Sequence, residues 1–160
     1  MRFKKNSGNI LFNKKKISKP IYSYYFSGDL LGEDDMTIKE NILYNIELNE
    51  NTISEEYQKL IGIFELQNYE NTLYKHASEG MKQKTHIIIC LLYKKLVTIL
   101  DEPFNYLDEN SHKEFVRYLL ENYKNSNKIV VIATNELIML DVLDGKVLYL
   151  KSEGGEEKCL

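Results

Sequence analysis

The 160-residue sequence has little cysteine, no excess of basic charge and no long apolar run, and each shortage closes off a class of protein. Its two cysteines, Cys90 inside an apolar stretch and Cys159 in a polar tail, make neither a metal-ligand cluster nor a disulfide framework. A reducing cytoplasm is the expected setting. Cys159 stands next to last, so no prenylation box is expected. Lys and Arg total 21 against 24 Asp and Glu, and both signs are dispersed along the chain, so there is no basic footprint for nucleic acid. The longest apolar run, residues 87–93, is far too short to span a bilayer. Residues 1–9 are basic but lead into no apolar stretch, so no secretory signal is expected. His76, His86 and His112 share no metal-ligand spacing, and His112, on a polar helix start, reads as a solvated side chain.

What is there is enough apolar content, 43%, for one domain with a core. Residues 9–12 and 17–26 are rich in Ile, Phe and Tyr and are punctuated by Gly8, basic residues and Pro20, which predicts short strands in a small edge sheet over 3–26. The "NKKK" stretch within it is read as an edge-strand solubility device. Thr37 and Glu40 have capping-box spacing, so a helix is expected over about 38–48. A second helix follows Ser54, with Tyr57, Leu60, Ile61 and Phe64 on one face. Together with a polar connector over 67–76 they make a helical insert, residues 37–76.

"ASEGMKQK" then opens a helix buried on most sides, where Cys90 reads as a small core residue. The strand "LVTIL" comes next, a helix from Asp108 or Asn110 to about Tyr123, a second apolar strand "KIVVIAT", a short helix near 136–140, and "KVLYL" after an Asp144-Gly145 turn. Continuous apolar strands alternating with helices predict a parallel sheet covered on both faces. Residues 151–160 read as a solvated tail.

Two places carry chemistry. Asp101 and Glu102 follow "LVTIL" directly, and ligands of parallel α/β sheets sit beyond the carboxyl ends of the strands. One carboxylate there suits a Mg²⁺ water shell, and the next suits the activation of an attacking water. Ser78 and Gly80 stand at a helix entry, where free backbone N–H groups and the positive end of the dipole attract an anion and a glycine lets it come close.

In this order and spacing, "ASEGMKQK", "LVTILDEPFNYLD" and "IVVIATNE" resemble the signature, Walker B, D-loop and switch region of an ATP-binding cassette (ABC) domain. "MTIKENI" resembles the segment that opens that family's helical subdomain, and "SGNILFNKKKIS" its edge sheet; the Gly-Met-Lys-Gln form is similar to ATPase subunits of bacterial multi-component exporters. The resemblance implies an α/β fold, a partial P-loop NTPase with a mostly parallel sheet flanked by helices, a small edge sheet and a helical subdomain, in one domain whose core spans 77–150. It implies ATP and Mg²⁺ as ligands and ATP hydrolysis coupled to transport. The implied partners are a membrane-spanning permease and a second ATP-binding subunit, at the inner face of the cell membrane. By position, Asp101 would act on Mg²⁺ through water and Glu102 would be the general base. Ser78 and Gly80 would touch the γ-phosphate of a nucleotide held mainly by the partner, with Met81 where many members have Gln. Asp108 would be the D-loop acid at the dimer interface.

Three departures qualify the implied activity. No G-x-x-x-x-G-K-S/T occurs anywhere; the only Gly-Lys pair, Gly145-Lys146, reads as a hairpin turn, so the chain is expected to be a truncated or degenerate member. A Gln that senses the metal in the family falls near Gly28, where there is none. Asn135 stands at the switch His, and an amide donates a hydrogen bond but relays no proton. The chain alone is therefore expected to bind ATP weakly and hydrolyse little, with an unpaired sheet edge and exposed apolar faces. A non-catalytic module that completes a composite ATP site on a P-loop-bearing partner is the alternative. An ATPase of chromosome maintenance is disfavoured, because no heptad run interrupts the domain.

Overall fold

The structure, a computed structural model, describes residues 11–12, 15–16, 22–25, 32–46, 55–124, 126–135, 146, 148–149 and 158–159. Its centre is a three-stranded parallel sheet of β3 (Tyr22–Tyr25), β4 (Val97–Asp101) and β5 (Ile129–Ala133), in the order β3-β4-β5. Two short antiparallel pairs accompany it. One joins β1 (Leu11–Phe12) to β2 (Lys15–Lys16), and the other joins β6 (Leu148–Tyr149) to β7 (Lys158–Cys159). The helices are α1 (Ile38–Ile46), α2 (Glu55–Ile63), α3 (Glu79–Leu92) and α4 (Glu109–Tyr123).

β3 corrects the reading of 3–26 as an edge sheet. It pairs parallel to β4 from Tyr22 opposite Val97 to Tyr25 opposite Leu100, so it is a strand of the central sheet. A parallel pair needs a crossover, and the stretch carrying α1, α2 and α3 supplies it. Within the tail, Lys158 and Cys159 pair with Tyr149 and Leu148, which gives the backbone groups of β6 partners. The helix expected near 136–140, Gly145 and Gly28 lie outside the described residues.

Local chemistry sets the helices. At α1, Glu40 N–H donates to Thr37 Oγ1 (3.1 Å) and Thr37 N–H donates to Glu40 Oε2 (2.7 Å), the reciprocal box that the spacing predicts. Buried Asn41, one turn in, accepts from Glu33 N–H (2.8 Å) and donates through Nδ2 to the carbonyls of Glu33 (3.1 Å) and Thr37 (3.0 Å). It thereby satisfies the turn that enters the helix. α2 ends as Glu65 turns left-handed (φ 56°) and Leu66 N–H closes onto Ile61 O (3.0 Å). α3 buries every residue from Ile87 to Leu91, as a helix enclosed on most sides must, and burial pushes the Cys90 thiol up to about 11.

α1 and α2 each pack on α3, and α3 also lies against β3 and β4. α4 joins through Phe115, whose ring stands 5.1 Å from Phe64 of the α2 end and 5.6 Å from Phe104 after β4. Tyr123 of α4 reaches the sheet at Thr98 Oγ1 (3.0 Å), and Ser23 Oγ donates to the same atom (3.5 Å). Both helices therefore cover one face, where Thr98 and Leu100 are fully buried.

The other face differs from the expectation of cover on both sides. Strand alternation and the register put Ile99, Ile129 and Val131 on it, and they are 38%, 47% and 48% exposed. A continuous apolar strand asks for cover on both faces, but the four described helices supply it on one.

Candidate functional site: an acid pair at the strand tips beside a helix start

β4 ends at Asp101, opposite Ala133 of β5. The next residue, Glu102, takes the left-handed backbone (φ 48°) that breaks the strand, and its N–H donates to Ala133 O (2.8 Å). Its side chain then crosses to the tip of β5. Asn135 N–H donates to Glu102 Oε1 (3.1 Å) and more weakly to Oε2 (3.4 Å), and Thr134 Oγ1 donates to Oε2 (3.3 Å). The carboxylate is thus held at two atoms by one loop, and a carboxylate has lone pairs left to accept from a water.

The loop from Glu102 to α4 folds tightly. Pro103 and Phe104 are buried, Asn105 N–H donates to Glu102 O (3.3 Å) and Leu107 N–H to Phe104 O (3.2 Å). His112 Nε2 lies 2.8 Å from Phe104 O, with its ring edge-on to Phe104 at 5.4 Å. That corrects the reading of His112 as a solvated side chain: the loop carbonyl and an aromatic ring come back over α4 and engage the imidazole. Asp108 caps α4 by accepting from Ser111 N–H (2.7 Å). The hydrogen bond from Ser111 N–H holds the exposed Asp108 carboxyl below the usual carboxylate range.

α3 begins beside this loop. Ser78 is its N-cap and accepts from Met81 N–H (3.2 Å), so the hydroxyl that the family resemblance assigns to a phosphate holds the helix start in this state. Gly80 packs on the ring of Tyr106. Below them, Tyr25 ends β3 with its hydroxyl buried and without a hydrogen-bond partner. Burial raises the Tyr25 phenol far above its usual range, and the charge of Asp101 is the next cause, with Tyr106 and Glu79 contributing after it. Asp101, Tyr106 of the 102–108 loop and Glu79 of the first turn of α3 thus all act on Tyr25 at the carboxyl end of the sheet.

Of the residues singled out from the sequence, Asp101, Glu102 and Asn135 come together in one group, and Ser78, Gly80 and Met81 form a second group at the α3 start. Asp108 stands at the head of α4. Thr134, His112 and Tyr106 join them without having been singled out as partners. Thr134 had a signal, since it ends the strand paired with the acid-bearing one. His112 and Tyr106 had none beyond their place in the turn.

The donor set is hard oxygen from one or two carboxylates. That suits Mg²⁺, which takes few protein ligands and completes its shell with water and substrate phosphates. Among the described residues no group of three or more His, Cys, Asp or Glu could hold a metal by itself. A cleft of about 440 Å³ between α2 and α4, lined by Gln58, Gly62, Asn110 and Ser111 among others, shares no residue with the acid pair.

The chain is 24% identical over 153 residues to the aliphatic sulfonates import ATP-binding protein SsuB of Bacillus thuringiensis subsp. konkukian, covering 93% of this chain and 60% of that protein. It is 27% identical over 156 residues to the putative ABC transporter ATP-binding protein MG304 of Mycoplasma genitalium, covering 92% and 56%. The chain thus spans about 60% or less of the length of these relatives. The fold matches cbiO1 of Clostridium perfringens, part of the ABC transporter complex cbiONQ, with a TM-score of 0.62 at 21% identity over 89% of this chain and 62% of that one. It also matches a structure of the archaeal ribosome recycling factor aABCE1 in complex with the ribosomal stalk protein aP1, with a TM-score of 0.70 at 17% identity over 96% of this chain and 28% of the other. The model of the ABC transporter family matches residues 1–105, well over half of the chain, and the chain belongs to that family.

Proposed function

We propose that this chain is the ATP-binding part of an ABC transporter and supplies the acid-pair half and the signature half of nucleotide sites, with little turnover of its own. The observation that carries this reading is the Glu102 carboxylate, held at the strand tip between Thr134 and Asn135 with Asp101 beside it. Asp101 would hold the water shell of Mg²⁺, and Glu102 would orient and deprotonate the attacking water. When bound, Mg²⁺ would neutralise phosphate charge. Asn135 fixes Glu102 through its backbone N–H, a contact that survives the exchange of the family's His for Asn. Ser78, Gly80 and Met81 would face a nucleotide bound mainly by a second ATP-binding subunit, and Asp108 would stand at that interface. A membrane-spanning permease would be the further partner, with the chain peripheral to the inner face of the membrane. No helix among the described residues is long and apolar enough to cross a membrane itself.

Phosphoryl transfer depends mostly on positioning and on neutralising phosphate charge. The 160 residues hold no P-loop sequence to do either, so the purified chain should bind MgATP weakly in equilibrium dialysis. Tight binding with robust Mg-dependent turnover would contradict this reading.

The bare sheet face favours a second one. Ile99, Ile129 and Val131 present an apolar surface beside the acid pair, as a module would if its phosphate-holding half came from another chain. On that reading the chain co-purifies with a P-loop-bearing protein, and Ser78→Arg abolishes the ATPase activity of that protein. Unchanged activity would count against it.

A further inference from the structure

β4 bonds to a strand on each side, whereas among the described residues β5 bonds only to β4. The register shows which backbone groups of β5 are left over. Ile129 N–H donates to Leu96 O (2.8 Å) and Ala133 O accepts from Glu102 N–H (2.8 Å), so residues 129, 131 and 133 turn their backbone groups toward β4. Successive residues of a strand point these groups to opposite sides. The N–H and C=O of Val130 and Ile132 therefore face the open edge.

The sequence of β5 does not blunt that edge. Folded proteins protect an open edge with charged side chains, proline or a bulge, and "IVVIA" carries no charge and no proline. Val130 and Ile132 pack only partly against the core, while Ile129 and Val131 stand 47% and 48% exposed on the other face. The two ends of the strand differ in charge. Lys128 precedes it, and the Glu102 carboxylate lies at its tip, bonded to Thr134 and Asn135.

These features fit one occupant, a second copy of β5 running the opposite way. Antiparallel pairing over all five residues sets Val131 opposite itself, Val130 opposite Ile132 and Ile129 opposite Ala133. Val130 and Ile132, the residues whose groups point outward, then exchange both hydrogen bonds across the two-fold axis. A shift by one residue would set Val130 against Val131, whose backbone groups already face β4. In the matched register Lys128 of each copy meets Thr134 of the other, and the Thr134 hydroxyl bonds to Glu102.

We infer that β5 is a two-fold pairing edge between two copies of this chain, and that Lys128 of the second copy sets its ammonium against the Glu102 carboxylate. Pairing uses both edges, so it closes at a dimer. It joins two sheets into one and gives Val130, Val131 and Ile132 apolar cross-strand neighbours. A cation at Glu102 would compete with the water-activating role of that carboxylate; this consequence rests on the proposed function, and the pairing does not.

Sedimentation velocity and cysteine cross-linking of the full chain decide the matter, the latter in a Cys159→Ser background because Cys90 is buried and the tail thiol is not needed. The unaltered chain should pass from monomer to dimer as concentration rises and form nothing larger. A chain that stays monomeric up to its solubility limit, or that grows into open polymers, would overturn the pairing. Val131→Cys should oxidise to a cross-linked dimer several-fold faster than Ile129→Cys, because residues opposite each other at a non-hydrogen-bonded position lie about 4.5 Å apart at Cα, within disulfide reach. Equal rates would overturn the register. Lys128→Glu should raise the dissociation constant of the dimer several-fold, and added salt should weaken the unaltered dimer in the same direction. An unchanged constant in Lys128→Glu would overturn the placement of that side chain at Glu102. The nucleotide reading can fail in its own dialysis assay without moving any of these readouts.

Discussion

On one face of the β3-β4-β5 sheet, Thr98 and Leu100 lie at 0% exposure under α3 and α4; on the other, Ile99, Ile129 and Val131 stand 38%, 47% and 48% exposed. The same strands make both faces, and in β4 and β5 both faces are written mainly in β-branched and aliphatic residues. The covered face shows what such a surface becomes when a helix meets it: Ser23, Thr98 and Tyr123 form a hydroxyl network, and Phe64, Phe104 and Phe115 interlock behind it. The bare face shows the same chemistry where none of the described helices lies. The acid pair stands at the tips of strands that the described helices cover on one side.

The comparison breaks first at Phe115, whose replacement by Ala should cost about 3–5 kcal/mol in urea or thermal unfolding, because a ring at 0% exposure leaves a cavity among two others. A cost near zero would mean that the covered side is not a packed core. Thr98→Val strands the Ser23 and Tyr123 hydroxyls at a buried site and should cost about 1–3 kcal/mol. Asp108→Ala removes the cap of α4, the helix that closes the covered side, and should cost about 1 kcal/mol by the same assay.

Glu56 tests the covered side by pH. Burial works against its charge, but hydrogen bonds from Lys94 and from Tyr118 of α4 outweigh it, and the net effect holds the carboxyl below 4.5. A folded-state value below the unfolded one gives stability that is full above about 4.5 and is lost as pH falls through the folded value. The urea midpoint of the unaltered chain should therefore fall between pH 6 and pH 3 by more than that of Glu56→Gln (~3 pH units of titration).

The smallest effect belongs to the bare face. Val131→Thr or Ile129→Thr should change stability by no more than about 0.5 kcal/mol and should lower self-association in sedimentation velocity. A loss as large as that at Phe115 would show that this face is packed in solution, and the comparison would fall.

Much of this was legible in the residues. The capping box at Thr37 and Glu40, the Asp108 cap, the enclosed helix around Cys90 and the acid pair after "LVTIL" are local patterns, and local hydrogen bonding or periodicity decides them. β3 was not legible, because its partner lies 75 residues away at the Ser23 and Thr98 pair, and nothing in "YSYY" tells an edge hairpin from a parallel strand. Exposed apolar faces were expected from the absent P-loop, but which face is bare was not legible: apolar periodicity shows that Ile99 and Val131 want cover, not whether a helix provides it. His112 and Tyr106 depend on where a turn folds back, and a turn's path follows from contacts that sequence spacing does not encode.

The most direct test of the central claim, that this chain holds the magnesium and water half of an ATP site but not the cradle, is Mg-dependent ATP turnover by the purified chain beside its Glu102→Gln variant. The account predicts that both are indistinguishable from the protein-free blank. Robust turnover by the unaltered chain that Glu102→Gln abolishes would contradict it.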